Sequence, residues 1–270
     1  VLRTLKAFEN MGVKIQKKDN DLIIHGQGLN SLTKPLKELY LGNSGTSARL
    51  LAGLLSTQEF NSILAGDESL SKRPMKRITI PLELMGAKFK TNNGTLPLEI
   101  YGKKLTPINY ELDIPSAQVK SGIILAALNT EGKTTILEKE ETRNHTEIML
   151  ENFDANIETN NKNISIIGKK ELTSKNIQIP SDLSSAAFFI VAALINKNSK
   201  LNLNNINLNP TRSGIISALY KMGAKINISN KRFINGELVG DLKIYSSELQ
   251  GSEIDESQAK LMIDEYPILS

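Results

Sequence analysis

Leu82-Glu83-Leu84-Met85-Gly86-Ala87-Lys88-Phe89 is one of four statements of a single phrase in this chain. Two others are strong: Phe8-Glu9-Asn10-Met11-Gly12-Val13-Lys14-Ile15 and Leu219-Tyr220-Lys221-Met222-Gly223-Ala224-Lys225-Ile226. A weaker copy reads Leu150-Glu151-Asn152-Phe153-Asp154-Ala155-Asn156-Ile157. Each closes an amphipathic run and reaches the place where a helix ends in a left-handed residue, glycine in the strong copies. Each then restarts in strand-forming residues. The phrase is a helix-to-strand turn that returns at a period of roughly 70 residues, too long for a solenoid unit and suited to a small βαβ-type subdomain.

The other half of each repeat carries the chemistry. Gly42-Asn43-Ser44-Gly45-Thr46-Ser47-Ala48-Arg49 leads into the apolar run from Leu50 to Leu55. Pro115-Ser116-Ala117-Gln118-Val119-Lys120-Ser121 leads into Ile123 to Leu128, and Pro180-Ser181-Asp182-Leu183-Ser184-Ser185 into Ala186 to Ile195. Arginine-bearing loops follow, with Arg73 and Arg77, then Arg143, then Arg212. Each repeat therefore reads as polar loop, buried helix, strand, arginine loop, second helix, cap and strands. Helix N-termini present unpaired N–H groups at the positive end of the dipole. Arginine adds a planar fork that matches phosphate and carboxylate. Together they point to a substrate bearing phosphate or carboxylate.

Composition sets the outer limits. A chain of 270 residues buries a sizeable core. Its net charge of +4 suits small anions and is too weak to argue for nucleic acid. There is no cysteine, which excludes disulfides and thiolate metal sites, and the two histidines, His25 and His145, make a histidine metal centre improbable. The longest apolar run, Ala186 to Ile195, is far short of a membrane span. The chain opens inside a helical pattern and closes at Ile268-Leu269-Ser270 as another apolar helix begins, so both ends read as cut.

Six phrases stand in order along the chain. They are Leu41 to Leu50, Gly66-Asp67-Glu68-Ser69-Leu70-Ser71-Lys72-Arg73-Pro74-Met75, Ser116 to Ser121, and Thr142-Arg143-Asn144-His145-Thr146-Glu147. Asn209-Pro210-Thr211-Arg212-Ser213-Gly214 and Ile263-Asp264-Glu265-Tyr266-Pro267-Ile268-Leu269 complete the set. Together they resemble the EPSP synthase family, the 3-phosphoshikimate 1-carboxyvinyltransferases. The Ser-Ala-Gln and Asp-Glu-Tyr-Pro spellings are similar to the bacterial class described as less sensitive to glyphosate. The resemblance implies an α/β (α+β) fold of repeated βαβαββ subdomains, the inside-out enolpyruvyl-transferase architecture, with six subdomains in two lobes. Six repeats need roughly 420 residues. Residues 1–180 would be most of the N-terminal lobe, and residues 181–270 the first part of a truncated C-terminal lobe. A lysine-rich phrase expected ahead of Val1 and a Lys-Glu-Ser-Asp-Arg phrase expected beyond Ser270 are absent. The chain is thus expected to be a central portion, inactive alone.

The resemblance also assigns residues. Asn43, Gly45, Thr46, Arg73 and Gln118 would hold phosphoenolpyruvate. Ser116, Ala117, Gln118, Arg143 and Asp264 would hold shikimate 3-phosphate, Ala117 through its backbone, Arg143 at the 3-phosphate and Asp264 at the 5-hydroxyl as the catalytic base. The implied reaction transfers the enolpyruvyl group of phosphoenolpyruvate to that hydroxyl, a step of the shikimate pathway toward chorismate and the aromatic amino acids. Lobe closure would exclude water. No metal and no organic cofactor is implied, the partners are the two small anions rather than nucleic acid or membrane, and the expected state is a cytoplasmic monomer.

Other residues have plainer readings. Gly42 to Arg49 lacks the Gly-Lys-Ser/Thr ending of a Walker A loop. Arg49 reads as a tie for its loop, His145 as helix-terminal scaffolding, His25 as surface, and Asp182 as a helix cap. Lys120 fits a cleft or a solvated helix face equally, Arg212 fits a second site or a loop ion pair, and Glu265 stays open. Three alternatives remain: UDP-N-acetylglucosamine enolpyruvyl transferase, which typically uses a loop cysteine; an RNA 3′-terminal phosphate cyclase-like protein, which needs a nucleotide-binding histidine; and a non-catalytic anion-binding module.

Overall fold

A computed structural model describes all residues, Val1–Ser270. The chain forms two compact units. The first comprises Val1–Thr142 with Phe153–Ser174, and the second Arg143–Asn152 with Lys175–Ser270. The second unit thus begins at Lys175 and also takes the short stretch that follows Thr142.

The first unit opens with α1 (Leu2–Asn10) and an antiparallel hairpin of β1 (Lys14–Lys18) and β2 (Asp21–His25). One arrangement then occurs twice. Its first statement is β3 (Leu39–Tyr40), α2 (Gly45–Ser56), β4 (Asn61–Ala65), the short α3 (Glu68–Ser71), α4 (Lys76–Leu84), β5 (Lys88–Asn92) and β6 (Thr95–Tyr101), in a sheet ordered β3-β4-β6-β5. The second is β7 (Asn109–Glu111), α5 (Ala117–Leu128), β8 (Lys133–Leu137), α6 (His145–Asn152), β9 (Ile157–Asn160) and β10 (Asn163–Ile167), with sheet order β7-β8-β10-β9. In each sheet the first two strands are parallel and the rest antiparallel. A parallel pair needs a crossover, and the buried first helix supplies it. Of these elements, α6 belongs to the second unit.

That unit states the arrangement a third time. α7 (Leu183–Ile195), β11 (Lys200–Asn207), α8 (Gly214–Lys221), β12 (Lys225–Ile234) and β13 (Glu237–Tyr245) give a sheet ordered β11-β13-β12. The leading strand shrinks to one parallel bridge, Ser181 to Ile206. Ile190, Leu194, Ile215, Leu219, Ile226, Leu242 and Ile244 fill the core between helices and sheet. The short α9 (Glu256–Ala259), a 3₁₀ turn over Lys260–Glu265 and α10 (Tyr266–Leu269) end the chain. The fold is therefore α/β with repeated βαβαββ subdomains.

The four anchor positions of the repeated phrase share one backbone conformation. Gly12, Gly86 and Gly223 have φ of 89°, 95° and 92°, and Asp154, in the weak copy, has φ of 61°. Glycine enters this region freely, and aspartate is among the few other residues that tolerate it.

Candidate functional site

α2 and α5, the equivalent helices of two successive repeats, lie parallel and nearly in register. Thr46 meets Gln118 at one end (Gln118 Nε2 to Thr46 Oγ1, 2.9 Å), and Asn129 Nδ2 donates to Thr57 Oγ1 at the other (3.2 Å). Two glycines permit the approach. A Cβ on Gly53 would lie 1.9 Å from the Gly122 carbonyl oxygen, and one on Gly122 would lie 2.9 Å from the Arg49 carbonyl oxygen. Both helices start at the same end of the pair. Ser44 caps α2 by accepting from the Ser47 amide at 3.2 Å, and Ser116 caps α5 by accepting from the Val119 amide at 3.4 Å. The amides of Gly45, Thr46, Ala117 and Gln118 precede the first intrahelical bonds, those of Ala48 and Lys120, and stay uncommitted.

Arginines gather at this end. Arg49 Nη1 donates to Gln118 Oε1 at 2.7 Å and to the Gly45 carbonyl at 3.3 Å, while Nη2 reaches the Pro74 carbonyl at 3.3 Å. Arg73 Nη2 donates to Asn43 Oδ1 at 2.5 Å. Burial, then the nearby charges of Arg73 and Arg77, depresses the Arg49 pKa, and no carboxylate pairs with any of the three. Positive charge crowded against two helix N-termini without a protein counter-ion favours an anion. The structure thus brings together Asn43, Gly45, Thr46, Arg73, Ser116, Ala117 and Gln118. Arg49 ties the loop, as its sequence reading has it. Gly45 is the first residue of α2 and does not occupy the left-handed region; a Cβ there would lie 2.8 Å from Arg49 Nη1 and 3.1 Å from Arg73 Nη1.

Lys120 faces neither a cleft nor solvent. It is 0% exposed, and its Nζ sits 3.0 Å from Glu138 Oε2. The other oxygen of Glu138 accepts from the Thr142 amide at 3.2 Å and from the Thr142 hydroxyl at 2.5 Å. α5 is apolar on every side, so a charge in its second turn needs a buried partner.

In the second unit Arg143 Nη2 donates to Asp264 Oδ2 at 2.5 Å, with both side chains partly open to solvent. Further hydrogen-bonded carboxylates of the same unit include Glu265, left open by its sequence reading, Asp182, read as a helix cap, and Glu237, missed. Glu265, 1% exposed, accepts from the Ser184 hydroxyl. Ser184 Oγ accepts from Arg212 Nη2 at 2.8 Å, and Arg212 also pairs with Asp182 at 2.7 Å. Asp182 caps α7 through the Ser185 amide at 3.0 Å. Burial alone would raise its pKa; the Ser185 hydroxyl and the Arg212 charge outweigh that and hold it below the ordinary value. Glu237 Oε1 lies 2.5 Å from His145 Nδ1, and no reading of the sequence singled Glu237 out. The available signal was the Asn235-Gly236 pair just before it, a two-residue hairpin turn. No group of three histidine, cysteine, aspartate or glutamate residues is placed to hold a metal ion, and no helix is long and apolar enough to cross a membrane.

Repeated βαβαββ subdomains, with arginines gathered at a pair of helix starts, define the class of this α/β protein. The family model for EPSP synthase (3-phosphoshikimate 1-carboxyvinyltransferase) matches residues 1–270, and the chain belongs to that family. A 3-phosphoshikimate 1-carboxyvinyltransferase of Ruthia magnifica subsp. Calyptogena magnifica is 51% identical over 269 residues, covering 99% of this chain and 62% of that protein. A relative of the same name from Oceanobacillus iheyensis is 47% identical over 271 residues, covering 100% of this chain and 63% of that protein. The solved EPSP synthase of Acinetobacter baumannii superposes with a TM-score of 0.89 at 48% identity, over 99% of this chain and 61% of that one. The chain thus spans about three-fifths of the length of these relatives.

Proposed function

We propose that the protein carrying this chain transfers the enolpyruvyl group of phosphoenolpyruvate to the 5-hydroxyl of shikimate 3-phosphate, giving 5-enolpyruvylshikimate 3-phosphate and inorganic phosphate. The observation that carries this reading is the cluster of Arg49, Arg73 and Arg77, without a counter-ion, at the paired starts of α2 and α5. A trianionic substrate such as phosphoenolpyruvate supplies the missing negative charge.

In this reading Arg73, Asn43 and the amides of Gly45 and Thr46 hold phosphoenolpyruvate. Gln118 orients it, itself fixed by Arg49 and Thr46. Ser116, the Ala117 backbone, Gln118 and Arg143 hold shikimate 3-phosphate. Asp264 takes the 5-hydroxyl proton as that oxygen adds to C2, while C3 gains a proton from a general acid elsewhere in the complete protein, whose conjugate base takes one back when the adduct collapses. The tetrahedral adduct then loses a C3 proton while the C2–O bond to phosphate breaks, which restores the double bond. The contribution of these residues is position and fixed charge. The substrates are small soluble anions, and we place the enzyme in the cytoplasm as a monomer.

The test is phosphate release by the complete protein. Release is expected only when phosphoenolpyruvate and shikimate 3-phosphate are both present. No release with both, or equal release from phosphoenolpyruvate alone, would overturn the assignment.

A further inference from the structure

Arg143 is followed by two residues whose side chains are hydrogen-bonded to partners more than sixty residues along the chain. Asn144 Oδ1 accepts from Asn209 Nδ2 at 2.8 Å, and His145 meets Glu237 Oε1. The second oxygen of Glu237 accepts from Asn207 Nδ2 at 3.1 Å and from Asn209 Nδ2 at 3.2 Å. Asn209, buried, in turn accepts from the Thr211 amide at 2.9 Å and hydroxyl at 2.7 Å. One carboxylate thus gathers the donors that fix the entry to α6.

The hairpin puts Glu237 there. Asn235 and Gly236 have φ of 50° and 81°, which turns β12 into β13 in two residues. A Cβ on Gly236 would lie 2.7 Å from Ile148 Cγ2, so the turn presses directly on α6. Asn235 is anchored on its outer side, accepting from the Gln178 amide at 2.9 Å and donating to the Asn176 carbonyl at 3.1 Å. Glu237 therefore cannot shift without moving α6. Burial would raise its pKa, but the His145 hydrogen bond and then the two asparagines hold it below the ordinary value, so it is charged at neutral pH.

We propose that Glu237, acting through His145 and Asn209, is the positioning residue that presents Arg143 to the phosphate of the phosphorylated substrate. Arg143 pairs with Asp264, and Glu237 makes no hydrogen bond or ion pair of its own with either member. Its effect must therefore pass through the loop. This inference rests on the reading of Arg143 as a phosphate ligand.

A double-mutant cycle on the complete protein tests it. Glu237→Gln keeps the size and removes the charge. It is expected to weaken shikimate 3-phosphate binding, measured by calorimetry, about tenfold, equivalent to about 1.4 kcal/mol. In an Arg143→Ala background the same substitution should change affinity by less than about twofold, because two steps of one path are not additive. A full tenfold effect in both backgrounds would overturn the proposal. Phenylglyoxal modification of Arg143, read by peptide mass, gives a second readout that needs no substrate: Glu237→Gln should speed it several-fold, and an unchanged rate would overturn the proposal. If Glu237→Gln fails to fold, His145→Gln and His145→Leu replace it. The amide should keep the wild-type modification rate and the leucine should raise it; equal rates in the two variants would count against the proposal. A wild-type protein that does not bind shikimate 3-phosphate would sink the functional reading, while the modification rates would still decide whether Glu237 positions Arg143.

Discussion

Two cations near the start of α5 are treated in opposite ways. Arg49 is half-buried beside Arg73 and Arg77 with no counter-ion, whereas Lys120 is sealed against Glu138. The first arrangement leaves charge for a ligand and the second removes it from play. Lys120→Met should cost about 3–5 kcal/mol, because it leaves Glu138 buried and uncompensated. Lys120→Met combined with Glu138→Leu should recover most of that loss, as buried ion pairs replaced by apolar residues often do. Thermal melts of the single and double variants check both statements. Gly45→Ala makes a different demand. Its methyl meets the far ends of two flexible side chains, so the melting temperature should hardly change. Displacing Arg49 and Arg73 should weaken phosphoenolpyruvate binding about tenfold or more, since each charge-assisted bond lost is worth roughly 1.5–3 kcal/mol. Titration calorimetry would show it, and a large fall in melting temperature with unchanged affinity would refute it. The tie of Arg49 to its own loop was legible, since the Gly45 carbonyl lies one helical turn away, whereas its reach to Gln118 and Pro74 was not. Lys120 was not legible, since nothing near it announces a partner 18 residues along the chain.

Elements were read best where one residue decides their end. The left-handed caps at Gly12, Gly86 and Gly223 are a property of the backbone at one position, so they are visible in the sequence. The shrinkage of the third repeat's first strand to a single bridge at Ser181 was not visible, because strand length depends on what pairs across the sheet. The α2–α5 contact was also hidden, since Gly53 and Gly122 gain meaning only from each other. Gly53→Ala should therefore be severe. Its Cβ would collide with backbone rather than with a movable side chain. The helices must separate, and overpacking of this kind typically costs 1–3 kcal/mol or more. The separation should also loosen the Arg49–Gln118–Thr46 link and weaken phosphoenolpyruvate binding along with stability, in contrast to Gly45→Ala. Melting and calorimetry on both alanine variants separate the two cases.

At the scale of the whole chain, acid should act on the second unit through Asp182 and Glu237. Both have folded-state pKa values below their ordinary ones. A depressed carboxylate stabilises the fold above its unfolded pKa, near 3.9 for aspartate and 4.3 for glutamate, and that stabilisation is lost as pH falls through the folded value. Hydrogen exchange in α6, α7 and β13 should therefore accelerate as pH drops below about 4, after correction for intrinsic rates. Asp182→Asn and Glu237→Gln should flatten that dependence. The two-glycine contact has a consequence of another kind. Gly53 and Gly122 sit at different places in successive copies of one unit, nine and six residues past their helix caps, and a methyl on either would strike a backbone carbonyl of the partner helix whatever residue stands opposite. No compensating change at one site can therefore rescue the other. Through evolutionary time the two codons are barred from drifting separately or together, and a lineage that loses either glycine must rebuild the helix pair or abandon it.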